Sequence, residues 1–154
     1  MHIAGITANP DDARMAQQAR NLGMVFDEWP DKPQYIVCDQ DTKFTAQFEE
    51  LLKQDGIKLK RTAVRAPNQN AYAERWAQTI QQECLDHFIV LGEEHLRYLV
   101  REFVEHYNKE RPHQNKGNLP LGMEQPPDIG NVVGPVVCHE RLGGLLRHYE
   151  RKAA

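Results

Sequence analysis

Short β-branched runs alternate with amphipathic segments along this 154-residue chain, and that alternation restricts it to layered α/β architectures. His2 to Thr7 reads as a short strand. Asn9-Pro10 reads as a helix start, with Asn9 as N-cap and Pro10 at the first helical position. Ala13 to Phe26 has helical periodicity, with Ala16, Ala19, Leu22 and Gly23 on one side, and Pro30 to Pro33 is a turn. Gln34 to Cys38 is continuously apolar, which predicts a strand covered on both faces. Thr45 to Gln54 predicts a helix with Phe48, Leu51 and Leu52 inward, closed by Asp55-Gly56. Ile57 to Val64 alternates Ile57, Leu59 and Arg61 against Lys58, Lys60 and Thr62, the period of another strand.

After a loop at Pro67 to Asn70, helical patterns run from Ala71 to about His87 and from Glu93 to Tyr107. Arg111-Pro112-His113 ends the second. Asn115 to Gly134 is rich in Gly, Pro and Asn and reads as a linker. Gly143-Gly144, between Val136-Val137-Cys138 and Leu145-Leu146, predicts a hairpin turn. The expected division is a core over residues 1–114 and a linker with a basic tail over 115–154.

Composition narrows the class. Hydrophobic residues make up 40% and charged residues 27%, as in ordinary soluble domains. No apolar run approaches the ~20 residues that span a bilayer, and the first residues lack the basic and apolar regions of a signal peptide. Cys38, Cys84 and Cys138 form no CxxC pair, which argues against a zinc site or disulfide framework and for a reducing cytoplasm. The net charge of −3 argues against indiscriminate nucleic-acid binding. Basic residues nevertheless gather at Lys58, Lys60, Arg61, Arg65 and Arg75, and again from Arg141 to Lys152. A phosphate backbone responds to such local stretches rather than to the total.

Two carboxylates carry the chemistry. Asp39 follows the apolar run Tyr35-Ile36-Val37-Cys38, and Glu74 lies in the opening turn of the helix that begins at Ala71. A carboxylate at a strand end and one on a helix face can share divalent cations. Asp39 alone would equally serve as a turn or cap residue, and Glu74 alone as a solvated helix residue. Asn70 suits a helix cap first. Gln78 lies one turn beyond Glu74 on the same face.

Four segments carry a resemblance. Ile6-Thr7-Ala8-Asn9-Pro10 with Gln17 to Leu22 looks like a third strand and first helix. Val37-Cys38-Asp39-Gln40-Asp41-Thr42-Lys43-Phe44 looks like a strand ending in a catalytic Asp. Asn68-Gln69-Asn70-Ala71-Tyr72-Ala73-Glu74-Arg75-Trp76 looks like a catalytic-Glu helix, and Tyr107-Asn108-Lys109-Glu110-Arg111-Pro112-His113 like a Tyr-Asn-x-x-Arg-Pro-His motif. In this order they resemble the catalytic core of DDE integrases and transposases, above all the integrase-type transposases of bacterial insertion sequences.

That resemblance implies a ribonuclease-H-like fold whose three carboxylates hold two Mg²⁺ or Mn²⁺ ions for phosphodiester strand transfer on DNA. It implies Asp39 and Glu74 as the second and third carboxylates and as metal ligands. It gives Lys58, Lys60, Arg61, Arg65, Asn70, Arg75 and Gln78 roles at DNA. Transposon-end and target DNA and a homo-oligomeric assembly are the implied partners, in the bacterial cytoplasm at the nucleoid. The first catalytic Asp, with the first two strands, is expected to be absent, because Asp11, Asp12, Asp27 and Asp31 follow the third-strand segment. Catalysis is then expected to be lost. Two alternatives stand beside this reading. One is a non-catalytic DNA-binding or oligomerisation module, the other a ribonuclease-H-type nuclease. Tyr107, Arg111 and His113 are expected to pack a helix end. The tail is expected either to contact DNA or a second protomer, or to be a solvated end.

Overall fold

A computed structural model describes residues 1–63, 69–126 and 134–152. They form a mixed α/β chain that divides into two compact units, residues 3–78 and residues 79–154 with 1–2.

In the unit of residues 3–78, helix α1 (Asp12–Asp27) is followed by strand β1 (Tyr35–Cys38), helix α2 (Ala46–Gln54) and strand β2 (Lys58–Arg61). The N-cap of α1 is Asp11, whose Oδ1 accepts from the Arg14 amide at 2.8 Å. Asn9 therefore does not cap it. In Asn9-Pro10-Asp11-Asp12 several side chains compete, and the one aligned with an orphan amide three residues on wins. Helix α2 starts as its sequence predicts, with Thr45 Oγ1 accepting from the Phe48 amide. It ends in a Schellman arrangement. The Gly56 amide donates to Lys53 O at 2.9 Å and the Ile57 amide to Leu52 O at 2.9 Å, with Gly56 at φ 76.

Strands β1 and β2 pair in parallel, Tyr35 opposite Lys58 through Cys38 opposite Arg61. Helix α2 is the crossover that parallel pairing requires. Ala19 and Phe26 of α1 pack with Phe48 and Leu52 of α2 and with Ile57, and Ile36 and Leu59 of the strands close this core. The expectation that β1 is covered on both faces does not hold. Ile36 and Cys38 face the helices, whereas Tyr35 and Val37 are exposed on the other face. Residues 2–7 form no strand, since among the described residues no ladder partner lies beside them.

Helix α3 (Ala71–Glu83) stops before the predicted His87. The chain turns at Cys84 (φ −135, ψ −69) into a short 3-10 turn, Leu85–His87. In the second unit, helix α4 (Glu93–Lys109) buries Leu99, Val100 and Phe103, with Cys84 Sγ 3.9 Å from Leu99 O. Strands β3 (Val136–Arg141) and β4 (Leu146–Arg151) pair antiparallel across a turn containing Gly143 and Gly144, both at positive φ. Part of the predicted linker, residues 127–133, lies outside the described residues. Among the described residues, no helix is long and apolar enough to cross a membrane.

Candidate functional site

In open parallel sheets ligands meet the carboxyl ends of the strands, and Asp39 sits there, directly after β1. The chain turns sharply past it. Asp39 Oδ1 accepts from the Asp41 amide at 3.2 Å. Asp41 Oδ1 in turn accepts from the Lys43 amide at 2.9 Å, and Oδ2 from Lys43 Nζ at 2.9 Å. Those bonds hold the Asp41 carboxyl below its ordinary range. Asp41 thus closes the turn with its side chain. Gln40 ties the two strand ends by donating from Nε2 to Thr62 O. Arg61 donates to Phe44 O, so it braces the segment after Asp39 as well as presenting charge.

Glu74 is positioned through the residues before its helix. Gln69 Oε1 accepts from the Ala63 amide at 2.7 Å, which fastens the start of α3 to the carboxyl end of β2. Asn70 O accepts the first helical bond from the Glu74 amide at 3.0 Å, as an N-cap carbonyl does. Asn70 and Ala73 line the same cavity as Asp39, a space of about 500 Å³ also bordered by residues 4–7 and by Arg14 and Lys43. Glu74 itself is exposed and is not among the cavity's lining residues. Asp39 and the first turn of α3 therefore share one edge of the sheet.

Of the residues expected at DNA, Lys58, Lys60, Arg61, Arg75 and Gln78 are exposed and Asn70 is half-buried. Arg65 lies outside the described residues. Lys58 and Lys60 share the outer sheet face with Tyr35 and Val37, and Lys60 Nζ stands 3.8 Å from the Tyr35 ring centroid. Sequence reading missed Gln40, Lys43 and Gln69 as bracing residues. The Asp-x-Asp-x-Lys spacing after β1, which suits Asx turns, was the available signal.

Tyr107, Arg111 and His113 pack the end of α4. Arg111 pairs with Glu83 at 2.7 Å and lies 5.2 Å from the Tyr107 ring, and His113 Nε2 is 2.9 Å from Tyr107 O.

Residues 55–120 match the integrase core domain family. The chain is 30% identical over 89 residues to the insertion element IS476 uncharacterized 39.2 kDa protein of Xanthomonas euvesicatoria, covering 57% of this chain and 26% of that one. It is 29% identical over 82 residues to the insertion element IS407 uncharacterized 31.7 kDa protein of Burkholderia multivorans, covering 53% of this chain and 30% of that one. Part of the chain is thus similar to an integrase core domain and to insertion-element proteins. It spans between a quarter and a third of the length of these two relatives. No solved structure matches it. The matched family segment holds Glu74 and the Tyr107 to His113 motif, while Asp39 precedes it.

Proposed function

We propose that this chain is core sequence of an insertion-element transposase, a ribonuclease-H-like domain that works on DNA in the bacterial cytoplasm. Residues 1–114 would form the core and residues 115–154 a linker and basic tail. Asp39 and Glu74 are its acidic site residues and the side chains that would hold Mg²⁺ or Mn²⁺. The observation that supports this reading is that Asp39 directly follows β1 and shares a cavity with Asn70 and Ala73, which precede Glu74 at the start of α3.

The donor set does not fit a two-ion centre. Two carboxylates are one short of the three such a centre uses, and among the described residues no three His, Cys, Asp or Glu side chains stand where they would hold one metal ion. The chain is therefore proposed to be catalytically inactive by itself. Its own residues have a narrower task. Lys58, Lys60, Arg61 and Arg75, with Arg65, supply positive charge for phosphates, and Asn70 and Gln78 supply hydrogen bonds beside the acidic edge.

Isothermal titration with Mn²⁺ tests the acidic pair. Weak binding is expected, abolished in Asp39→Ala and reduced in Glu74→Gln. Unchanged binding by Asp39→Ala would remove Asp39 from the site. The missing donor also favours a second reading, a DNA-binding or oligomerisation module without chemistry. Salt-dependent DNA binding with no nicking in Mn²⁺ would support that reading.

A further inference from the structure

The two faces of the β3–β4 hairpin differ. Side chains alternate across a strand, so Val137, His139 and Arg141 of β3 share one face with Leu146, His148 and Glu150 of β4. That face is held. Leu146 is buried, and Arg141 reaches Glu102 of α4 and Glu110 just after it. On the opposite face every residue is exposed, with Val136, Cys138 and Glu140 paired to Arg151, Tyr149 and Arg147 in turn. Tyr149 stands at its middle, 59% exposed, with an arginine two residues to either side. At ~3.3 Å per residue the two arginines lie ~13 Å apart, with the ring between them.

The charge of this face selects the partner. Its one acid, Glu140, is paired with Arg147 at 3.1 Å, and Arg151 donates to Gly134 O at 3.1 Å. A guanidinium has five N–H donors, so neither bond exhausts its arginine, and Lys152 follows directly. An apolar protein surface laid on Tyr149 would strip water from both guanidiniums without pairing them. A second copy, related by a two-fold axis through Tyr149, would set Arg147 against Arg151. A DNA duplex would meet the arginines but keep its bases inside the stack, away from the ring. A single strand satisfies both demands, with phosphates for the arginines and the open face of a base for Tyr149.

We propose that the outer face of the β3–β4 hairpin binds unpaired DNA nucleotides, with one base stacked on Tyr149 and the flanking phosphates held by Arg147 and Arg151. The DNA partner rests on the transposase reading above. The hairpin platform and the single-stranded form of the ligand are additional to it, and neither Asp39 nor Glu74 takes part.

The probe is a fluorescent oligothymidine of about twelve nucleotides, titrated with the full chain without metal and read by anisotropy. A DNA duplex, polyglutamate and phosphatidylserine vesicles are titrated beside it. Tyr149→Ala should weaken oligothymidine binding about tenfold or more, whereas Tyr149→Phe should retain it. Arg147→Ala and Arg151→Ala should each lower the slope of log K against log salt by about 0.7. Should Tyr149→Ala lose its circular dichroism, the native chain decides, because its Tyr149 ring protons should move upfield in NMR as a base stacks on them. Duplex binding tests the transposase reading separately. If Lys58→Ala with Lys60→Ala weakens duplex binding while folded Tyr149→Ala holds oligothymidine as tightly as the native chain, the hairpin platform falls and that reading stands. If oligothymidine binding needs Tyr149 and the duplex is not bound at all, the platform stands and that reading falls. Unmoved Tyr149 ring protons at saturation, or tighter binding of polyglutamate or vesicles than of oligothymidine, would also overturn the proposal.

Discussion

Gly56 shows how one residue joins two elements. At φ 76 it ends α2 and delivers Ile57 into the core within two residues, next to Leu52. A side chain would meet no atom within 4 Å, so the cost of Gly56→Ala is conformational. It should destabilise the chain by about 1 kcal/mol, read as a lower urea midpoint with an unchanged slope. Leu52 is 0% exposed in the same cluster. Leu52→Ala should cost about 2–5 kcal/mol, and the gap between the two losses would separate a cap from a cavity. The cap was legible because Asp55-Gly56 after an amphipathic run is a local signal. The α1 cap was less so, because Asn9, Asp11 and Asp12 all have the chemistry and only the chain path selects among them.

At the scale of elements, charge does for the tail what packing does for α2. Arg141 at the end of β3 donates to Glu110 at 2.6 Å and to Glu102 at 2.9 Å, and His106 lies 2.9 Å from the other Glu110 oxygen. The Arg141 bonds, aided by His106, hold Glu110 down to about 2 from 4.5 against the opposing effect of burial. Glu110 binds its proton less readily folded than unfolded. Its contribution is thus present above about 4.5 and is lost as pH falls toward 2. Acid unfolding followed by circular dichroism should show this loss, and Glu110→Gln should flatten the profile in that window. Removing one partner of such a pair strands the other, so Arg141→Met should destabilise the hairpin more than Arg147→Met, whose Glu140 partner is half-exposed. No sequence period announces this cluster, since 31 residues separate Glu110 from Arg141.

Across the whole molecule, the basic outer face of the β1–β2 sheet gives a measurable expectation. If Lys58 and Lys60 each meet a phosphate, Lys58→Ala with Lys60→Ala should lower the slope of log K against log salt by about 1.8 for duplex DNA. Filter binding at several salt concentrations reads this, and an unchanged slope would mean that these lysines only solvate the sheet.

The alternation of short apolar runs with amphipathic segments already determined the α/β class, most of the helices and the chain positions of Asp39 and Glu74. Periodicity, caps and motif spacing are properties of neighbouring residues, and neighbours are what a sequence displays. Tertiary structure alone decided that residues 2–7 form no strand and that β1 is open on one face. It also decided that Gln69 holds the start of α3 beside the end of β2. Strand pairing and burial depend on which distant segments are present to pair, and a residue's own propensity does not encode its partner.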